Sequence, residues 1–398
     1  MQRVSLFGYG KTTRALAKEF KSVIFYDDKC HKPFRDEEGY MVRPSSEFDP
    51  RYSDLEIPSP GIAPSNSLIK KAQNLQSEYD YFAAKMPRSI WISGTNGKTT
   101  TTQMMQHLLK EKDAVAGGNI GTPLADLPCD ASLWVLETSS FTMHYTNIAK
   151  PDIYVLLPIR PDHISWHGSM EAYVQSKLKP LTMMQEGEVA IVPQEFADLP
   201  TKAMLIGYKD VKDLAQRFGI ETKKVQFEGA FLLDAALALA VEKILFDTIS
   251  YDRINTFKLD PHRQEELRDK AGRLWVSDTK ATNIDATIAA VKRYKSSKIH
   301  LILGGDDKGV ELSPLFEYLQ DKKIYTYHIG SNKERLNKEA RRFGVVYTQC
   351  SDLEDAVKRI KERMGANDVA LLSPAAASLD EFDSYAHRGE VFKAAIVK

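Results

Sequence analysis

Cysteine is scarce in this sequence, with three residues, Cys30, Cys129 and Cys350, in a chain of 398. They are odd in number, and no two have the spacing of a metal-binding pair, so neither a disulfide framework nor a zinc site is expected to organise the fold. Net charge is lacking as well. The 54 basic and 54 acidic side chains cancel, which leaves no electrostatic footprint for bulk nucleic acid or an anionic membrane. No apolar run reaches the roughly 18 residues needed to span a bilayer. The longest, Ala230 to Phe246, carries Asp234, Glu242 and Lys243 and reads as a buried helix. The opening MQRVSLFGYGKTT has no charged region leading into an apolar core and a small-residue cleavage site. A cytoplasmic protein with free thiols is expected, and a monomer.

What is present is ordinary globular composition, 43% apolar and 27% charged, in a chain long enough for two or three cores. Short β-rich runs alternate with amphipathic stretches, the pattern of α/β domains with mostly parallel sheets. Strands are expected at Val4–Phe7, Val23–Tyr26, Ser89–Ser93, Leu133–Glu137, Ile153–Leu157 and Val189–Val192. Further strands are expected at Leu274–Ser277, Ile299–Leu303, Ile324–Ile329 and Val369–Leu372. Helices are expected at Thr12–Phe20, from about Asn66 to Lys85, at Lys98–Lys110 and Met170–Met184, and from about Gly229. Ile57-Pro58-Ser59-Pro60-Gly61 reads as turn. The organisation expected is α/β with three domains: an N-terminal Rossmann-like unit (1–87), a central P-loop ATPase-like unit (88–259) and a C-terminal Rossmann-like, doubly wound sheet (260–398).

The strongest chemical signal is Gly94-Thr95-Asn96-Gly97-Lys98-Thr99-Thr100, which comes after an apolar strand and opens a helix. Glycines let successive N–H groups turn toward phosphate oxygens, Lys98 supplies charge near the β/γ-phosphates, and the Thr99 hydroxyl can ligate Mg²⁺. Ile92 stands where the longer Walker pattern has its first glycine. A plain Gly/Thr-rich turn is the competing reading, and Lys-Thr-Thr directly after the glycine weighs against it. Glu137 ends an apolar strand, where a strand-end Glu is by itself more often solvated. Lys177, on spacing alone, is a solvated lysine on a helix, and a lone histidine such as His163 is usually structural. Gly8-Tyr9-Gly10-Lys11-Thr12-Thr13, with Asp27 nineteen residues after Gly8, suggests a dinucleotide fingerprint, but Thr13 replaces its third glycine.

Taken in order, the segments GTNGKTT, Gly118-Asn119-Ile120-Gly121, Glu137-Thr138-Ser139-Ser140-Phe141, Pro161-Asp162-His163 and Lys177 resemble those of the Mur ligases and their relative folylpolyglutamate synthase. So do Pro261-His262-Arg263, Asp278-Thr279-Lys280-Ala281-Thr282-Asn283, Gly304-Gly305-Asp306-Asp307-Lys308 and Ser373-Pro374-Ala375-Ala376-Ala377-Ser378 running on to Arg388-Gly389. The resemblance covers nearly the whole chain. It implies an ATP-dependent amide-bond ligase that works through an acyl phosphate. It further implies that Arg263 and Asp278 join the phosphate loop in holding ATP, and that Thr99, Glu137, His163 and Lys177 hold Mg²⁺. In the family this lysine is carbamylated, which turns a cation that would repel the metal into a carboxylate. The N-terminal loop (Gly10, Lys11, Thr12), Asp27, Asn119 and Ser139 would then bind a UDP-linked substrate.

The C-terminal segments resemble the D-glutamate-adding branch, and no Asp-Asn-Pro-Arg motif of the diaminopimelate- or lysine-adding branch is present. That implies UDP-N-acetylmuramoyl-L-alanine and D-glutamate as substrates, with Thr282, Lys308, Ser378, Leu379 and Tyr385 at the glutamate. Two departures stand out. The family's Gly-x-His-Asn-x-x-Asn, which contacts adenine, is replaced by Gly229-Ala230-Phe231-Leu232-Leu233-Asp234-Ala235, so adenine recognition is expected to differ. Tyr385 stands where an aromatic without a hydroxyl is common. Another Mur-family amino-acid ligase, an NAD-dependent oxidoreductase and a non-enzymatic nucleotide switch are the alternatives.

Overall fold

The computed structural model describes residues 2–398, which form two compact units that divide between Phe257 and Lys258. The first unit holds two sheets. Its N-terminal sheet comprises β1 (Val4–Phe7), β2 (Val23–Asp27), β3 (Phe34–Arg35), β4 (Met41–Pro44) and β5 (Leu55–Pro58), in the order β3-β4-β2-β1-β5. All pairings are parallel except β3 with β4. The central β1 is wholly buried, as a strand covered on both faces must be. Expected as turn, Ile57-Pro58 is instead the end of β5. Proline is tolerated there because β5 is the edge strand, where no ladder bond is lost.

The second sheet is wholly parallel. It comprises β6 (Ser89–Ser93), β7 (Ala114–Gly118), β8 (Leu133–Glu137), β9 (Ile153–Leu156), β10 (Val189–Pro193) and β11 (Met204–Tyr208), ordered β11-β10-β9-β6-β8-β7. Ser-Ile-Trp-Ile-Ser and Leu-Trp-Val-Leu-Glu are buried at every position, so β6 and β8 form the middle of the layer. The helix Lys98–Leu109 packs against the long apolar helix Gly229–Phe246, whose central run Asp234–Glu242 is buried throughout. Where one helix was expected across Asn66–Lys85, two short ones form, Ser67–Lys71 and Glu78–Phe82. Between them the chain is drawn into a bridge, Glu56 with Leu75, reinforced by the Asn74 N–H donating to the Glu56 carboxylate at 2.6 Å. Capping side chains then start each helix afresh, Asn66 for the first and Ser77 for the second.

The second unit carries β12 (Glu265–Arg268), β13 (Leu274–Ser277), β14 (Ile299–Gly304), β15 (Ile324–Ile329), β16 (Tyr347–Gln349) and β17 (Val369–Leu372), ordered β12-β13-β17-β14-β15-β16. Only the hairpin partner β12 runs antiparallel. Separate apolar clusters lie on the two faces, one around Leu301, Leu303 and Phe316, the other around Trp275, Ile302 and Phe392. Among the described residues no helix is long and apolar enough to cross a membrane.

At the end of β14 the chain leaves the sheet through Gly304, with φ +130°, where a Cβ would lie 2.0 Å from the Ile329 carbonyl oxygen. Neither that dihedral nor that approach suits any other residue. Gly304→Ala is expected to lower unfolding free energy by at least about 2 kcal/mol, read as a shift in the urea midpoint. An unshifted midpoint would show that the strand end is not held as described.

Candidate active site

Three neighbouring strands of the second sheet, β8, β6 and β9, deliver their carboxyl ends to one place, where parallel sheets bind ligands. From β6 comes the glycine loop Gly94–Thr100, expected from the sequence to hold phosphate. Gly94 (φ +135°) lies so close to Leu157 that a Cβ would sit 2.5 Å from the Leu157 Cβ, and Gly97 (φ +87°) caps the helix Lys98–Leu109. That helix opens with no acidic residue in its first turn, which leaves its positive end to a ligand. The Lys98 Nζ donates to the Gly94 and Thr95 carbonyls at 3.1 and 2.9 Å, curling over its own loop. The Thr95 hydroxyl fastens this loop to the segment beyond β9, through Arg160 N at 2.8 Å and the Tyr173 hydroxyl at 2.9 Å. Asn96 and Thr99 are half-buried beside it, and Thr100 is buried.

From β8 comes Glu137, buried at the strand's last position. One carboxylate oxygen accepts from Asn119 Nδ2 at 2.7 Å. The other, also buried, has no hydrogen-bond partner. A buried acceptor left so is costly, and it marks a position where a cation or donor fits. Beyond β9 comes His163, held in the left-handed region (φ 53°), with its ring against Phe141 and its Nε2 3.4 Å from Asp162.

Lys177, on the helix Met170–Met183, is buried, not solvated as its spacing alone suggested. Its Nζ donates to the Gly94 carbonyl at 2.7 Å and lies 4.9 Å from the centre of the Tyr173 ring. Burial, and secondarily the Lys98 charge, push its pKa well below that of an ordinary lysine, against weaker opposing pulls from Asp162 and Glu137. Next to it His167 lies 2.9 Å from the Ser140 hydroxyl and 3.4 Å from that of Ser176; burial lowers its pKa to about 4 and keeps it neutral. Among the described residues no three His, Cys, Asp or Glu side chains are grouped to hold a metal. Lys98, Glu137, His163 and Lys177, far apart in sequence, are nonetheless brought to one strand-end region.

Several expected substrate contacts carry structural work. Ser139 caps the helix Ser140–Tyr145, its hydroxyl accepting from Thr142 N at 3.0 Å. Asn119 is pinned to Glu137. Asp27 accepts from Tyr9 N at 2.6 Å and Lys29 N at 2.7 Å, bracing the glycine loop. Thr13, in the place of a third glycine, donates to the Gly8 carbonyl at 2.7 Å and accepts from Gly10 N. Gly10 and Lys11 line a cavity of about 310 Å³ whose charged lining is mixed, with Lys11, Arg14 and Lys18 beside Glu38 and Asp126; Thr12 is half-buried next to Lys11 in the chain. The Lys11 ammonium donates to the Gly121 carbonyl. Asp234, on the helix Gly229–Phe246 where the family's asparagines are missing, accepts from Thr101 at 3.2 Å and crowds Gly97. No local pattern in the chain signals that contact.

In the second unit the loops after β13, β17 and β14 are again neighbours. Lys308 (φ 53°) is exposed on the turn after Gly304-Gly305, its N–H donating to Asp306. Ser378 is buried, Leu379 is 75% exposed, and Thr282 is half-buried. Tyr385 is partly exposed, with the Lys280 ammonium 5.1 Å over its ring. Arg263 has two buried guanidinium nitrogens, Nε and Nη2, without a hydrogen-bond partner. Asp278, buried near it, accepts from Ser373 at 2.8 Å and Gln264 N at 3.3 Å.

Residues 92–237 match the family described as Mur ligase middle domain, and residues 262–376 match Mur ligase, glutamate ligase domain. The chain is 55% identical over 400 residues to the UDP-N-acetylmuramoylalanine–D-glutamate ligase of Campylobacter jejuni subsp. jejuni serotype O:23/36 (strain 81-176), covering 100% of both. It is 49% identical over 420 residues to the protein of that name from Helicobacter pylori (strain ATCC 700392 / 26695), again over 100% of both. Among solved structures, the fold is similar to the MurF ligase from Thermotoga maritima in complex with ADP (TM-score 0.57, 19% identity, 99% and 97% coverage). It is likewise similar to UDP-N-acetylmuramate-alanine ligase MurC of Thermotoga maritima (TM-score 0.57, 14% identity, 99% of each chain).

Burial raises the Asp278 carboxyl from 3.8 to about 7, against opposing pulls from Ser373, Gln264 N and Arg263. A folded-state pKa above the unfolded value means that the folded protein holds this proton more tightly. The group's contribution is therefore fully present at low pH and is lost as pH rises from about 4 through about 7. Asp278→Asn removes that slope. The thermal midpoint of the variant relative to wild type is expected to climb across that window and level off above it. Parallel pH profiles would show a carboxyl that titrates normally.

Proposed function

The chain belongs to the Mur ligase family, and from that premise we infer that it joins D-glutamate to UDP-N-acetylmuramoyl-L-alanine, coupled to cleavage of ATP to ADP and phosphate. The observation that carries the substrate pair is identity of 55% and 49%, over the full length of both chains, to ligases named for that reaction. It is an enzyme of peptidoglycan precursor synthesis.

A carboxylate does not condense with an amine unaided, because its oxygen is a poor leaving group. Transfer of the ATP γ-phosphoryl group to the substrate carboxylate makes an acyl phosphate. The D-glutamate amine attacks its carbonyl carbon, and the tetrahedral adduct expels phosphate to leave the amide. We assign Gly94 to Thr100 to the ATP phosphates, with Lys98 neutralising charge on the phosphoryl group in transit. Arg263, with its unpartnered buried nitrogens, and Asp278 are assigned to the nucleotide. The cavity beside Gly10 and Lys11 brings the start of the helix Lys11–Ala17 together with Lys11, Arg14 and Lys18, and we assign it, with Thr12 and Asp27, to the UDP moiety; Asn119 and Ser139 are assigned to the same substrate. Thr282, Lys308, Ser378, Leu379 and Tyr385 are assigned to D-glutamate, whose two carboxylates call for a cation and hydroxyl or N–H donors. Segments 1–87, 88–259 and 260–398 would then serve as UDP-binding, ATP-binding and amino-acid-binding domains.

The buried, unpartnered Glu137 oxygen fits a hard cation. Thr99, Glu137, His163 and a carbamylated Lys177 would hold Mg²⁺, which when bound offsets charge on the phosphates. Carbamylation needs an uncharged amine as nucleophile, and burial shifts Lys177 toward that form. The Nζ lone pair attacks the carbon of CO₂, a C–N bond forms as one C=O π pair moves onto oxygen, and loss of a proton from nitrogen to solvent leaves the anionic carbamate. An oxidoreductase reading of the first glycine loop is disfavoured by Thr13, whose side chain stands in place of the third glycine and bonds within the loop.

Phosphate release from ATP is expected to require UDP-N-acetylmuramoyl-L-alanine and to yield the amide only with D-glutamate. Preferential incorporation of L-alanine or diaminopimelate would keep the family and refute the member. Lys98→Ala should abolish ligation, because the cation that neutralises the phosphoryl group is removed; near-normal turnover would remove the loop from the mechanism. Lys308→Met should raise the KM for D-glutamate by about 10- to 100-fold, the worth of a charged hydrogen bond, with the KM for ATP little changed. A solvated lysine would change neither constant.

A further inference from the structure

The helix Tyr385–Val397 sends one side chain of its first turn inward, the guanidinium of Arg388, which is 0% exposed. All five of its N–H donors are used. Nε donates to the Thr279 hydroxyl at 2.8 Å. Nη1 donates to the Gly304 and Ala377 carbonyls, both at 3.3 Å, and Nη2 to the Thr279 and Ala376 carbonyls at 2.9 and 3.0 Å. Every acceptor is a neutral oxygen. Among the described residues no carboxylate lies within ion-pair distance, so burial pulls the pKa down to about 10 but leaves the group a cation.

The acceptors come from three separate places in the chain. Thr279 lies just after β13, Ala376 and Ala377 just after β17, and Gly304 ends β14, three adjacent strands in the middle of the sheet. One rigid fork thus ties together the three loops at the ligand-binding edge that carry Thr282, Ser378 and Lys308. A buried cation matched only to dipoles is a costly way to tie loops, since a neutral side chain would carry a far smaller desolvation penalty. What the arrangement adds is fixed geometry and positive potential beneath the same loops.

We propose that Arg388 is the positioning residue of the acceptor amino-acid site, holding these three loops in the arrangement that receives a dicarboxylate. This rests on the reading that D-glutamate is the acceptor. Lysine has three donors on one atom and cannot span three strand ends. Arg388→Lys therefore raises the KM for D-glutamate by about tenfold or more, with the constants for ATP and UDP-N-acetylmuramoyl-L-alanine within about threefold of wild type. Guanidinium ion added to Arg388→Ala restores part of the lost affinity. A purely structural pin would instead lower the thermal midpoint or kcat with no selective change in KM, and that result overturns the role. Should the Arg388 variants not fold, Thr279→Val keeps the arginine and removes the Nε acceptor; a selective rise in the D-glutamate KM is again expected, and its absence overturns the proposal. Wild type is assayed alongside: no turnover of D-glutamate overturns the substrate reading and this role with it, whereas normal turnover with unselective variants overturns only the role.

Discussion

The Lys177 amine sits out of water against the carbonyl of Gly94, the first residue of the phosphate loop. The ends of β6 and β9 and the helix Met170–Met183 meet at that contact. Two lysines, Lys98 and Lys177, both reach the Gly94 carbonyl, and two ammonium groups so close in a dry site repel each other strongly. Burial and this repulsion both favour the uncharged form of one of them. Lys177, deeper and more desolvated, is the one pushed down; in the mechanism we propose, Lys98 is the cation for phosphate and Lys177 the amine that is modified.

The same placement recurs in both units. In each, three neighbouring parallel strands end together and pass their loops to one edge: β8, β6 and β9 in the first, β13, β17 and β14 in the second. Tight glycine exits at Gly94 and Gly304 let the backbone turn there. A buried side chain then fastens the loops, Thr95 to Arg160 and Tyr173 in one case, Arg388 to three strand ends in the other. The loops are thereby preformed, and less ordering remains to be done when ligand arrives.

What was legible in the sequence was whatever depends on local pattern. The apolar runs of β6, β8 and β14 and the glycines beside them fix strand, turn and helix in succession, so the phosphate loop stood out without a structure. Pieces that depend on distant pairing did not. Ala-Val-Ala-Gly-Gly is a poor strand by propensity, yet β7 forms because β8 offers it an edge. The expected helix across Asn66–Lys85 is interrupted because Glu56, nearly twenty residues earlier, captures Asn74 and Leu75. Side-chain burial was the other blind spot. Periodicity suggested a solvated Lys177, only the family resemblance singled it out, and nothing in spacing distinguishes Arg388 from a surface arginine. The departure at Ala230–Asp234 was visible, but not that Asp234 would lie against Gly97.

We propose that burial, which pushes the Lys177 pKa well down, favours an amine that carbon dioxide converts to an anion beside the Gly94–Thr100 loop. Carbon-13 NMR of the enzyme equilibrated with ¹³C-bicarbonate tests it most directly. The account predicts a carbamate resonance that is absent from Lys177→Ala, together with activity that falls in carbon-dioxide-free buffer and returns with bicarbonate. No such resonance, with full activity in carbon-dioxide-free buffer, would contradict it.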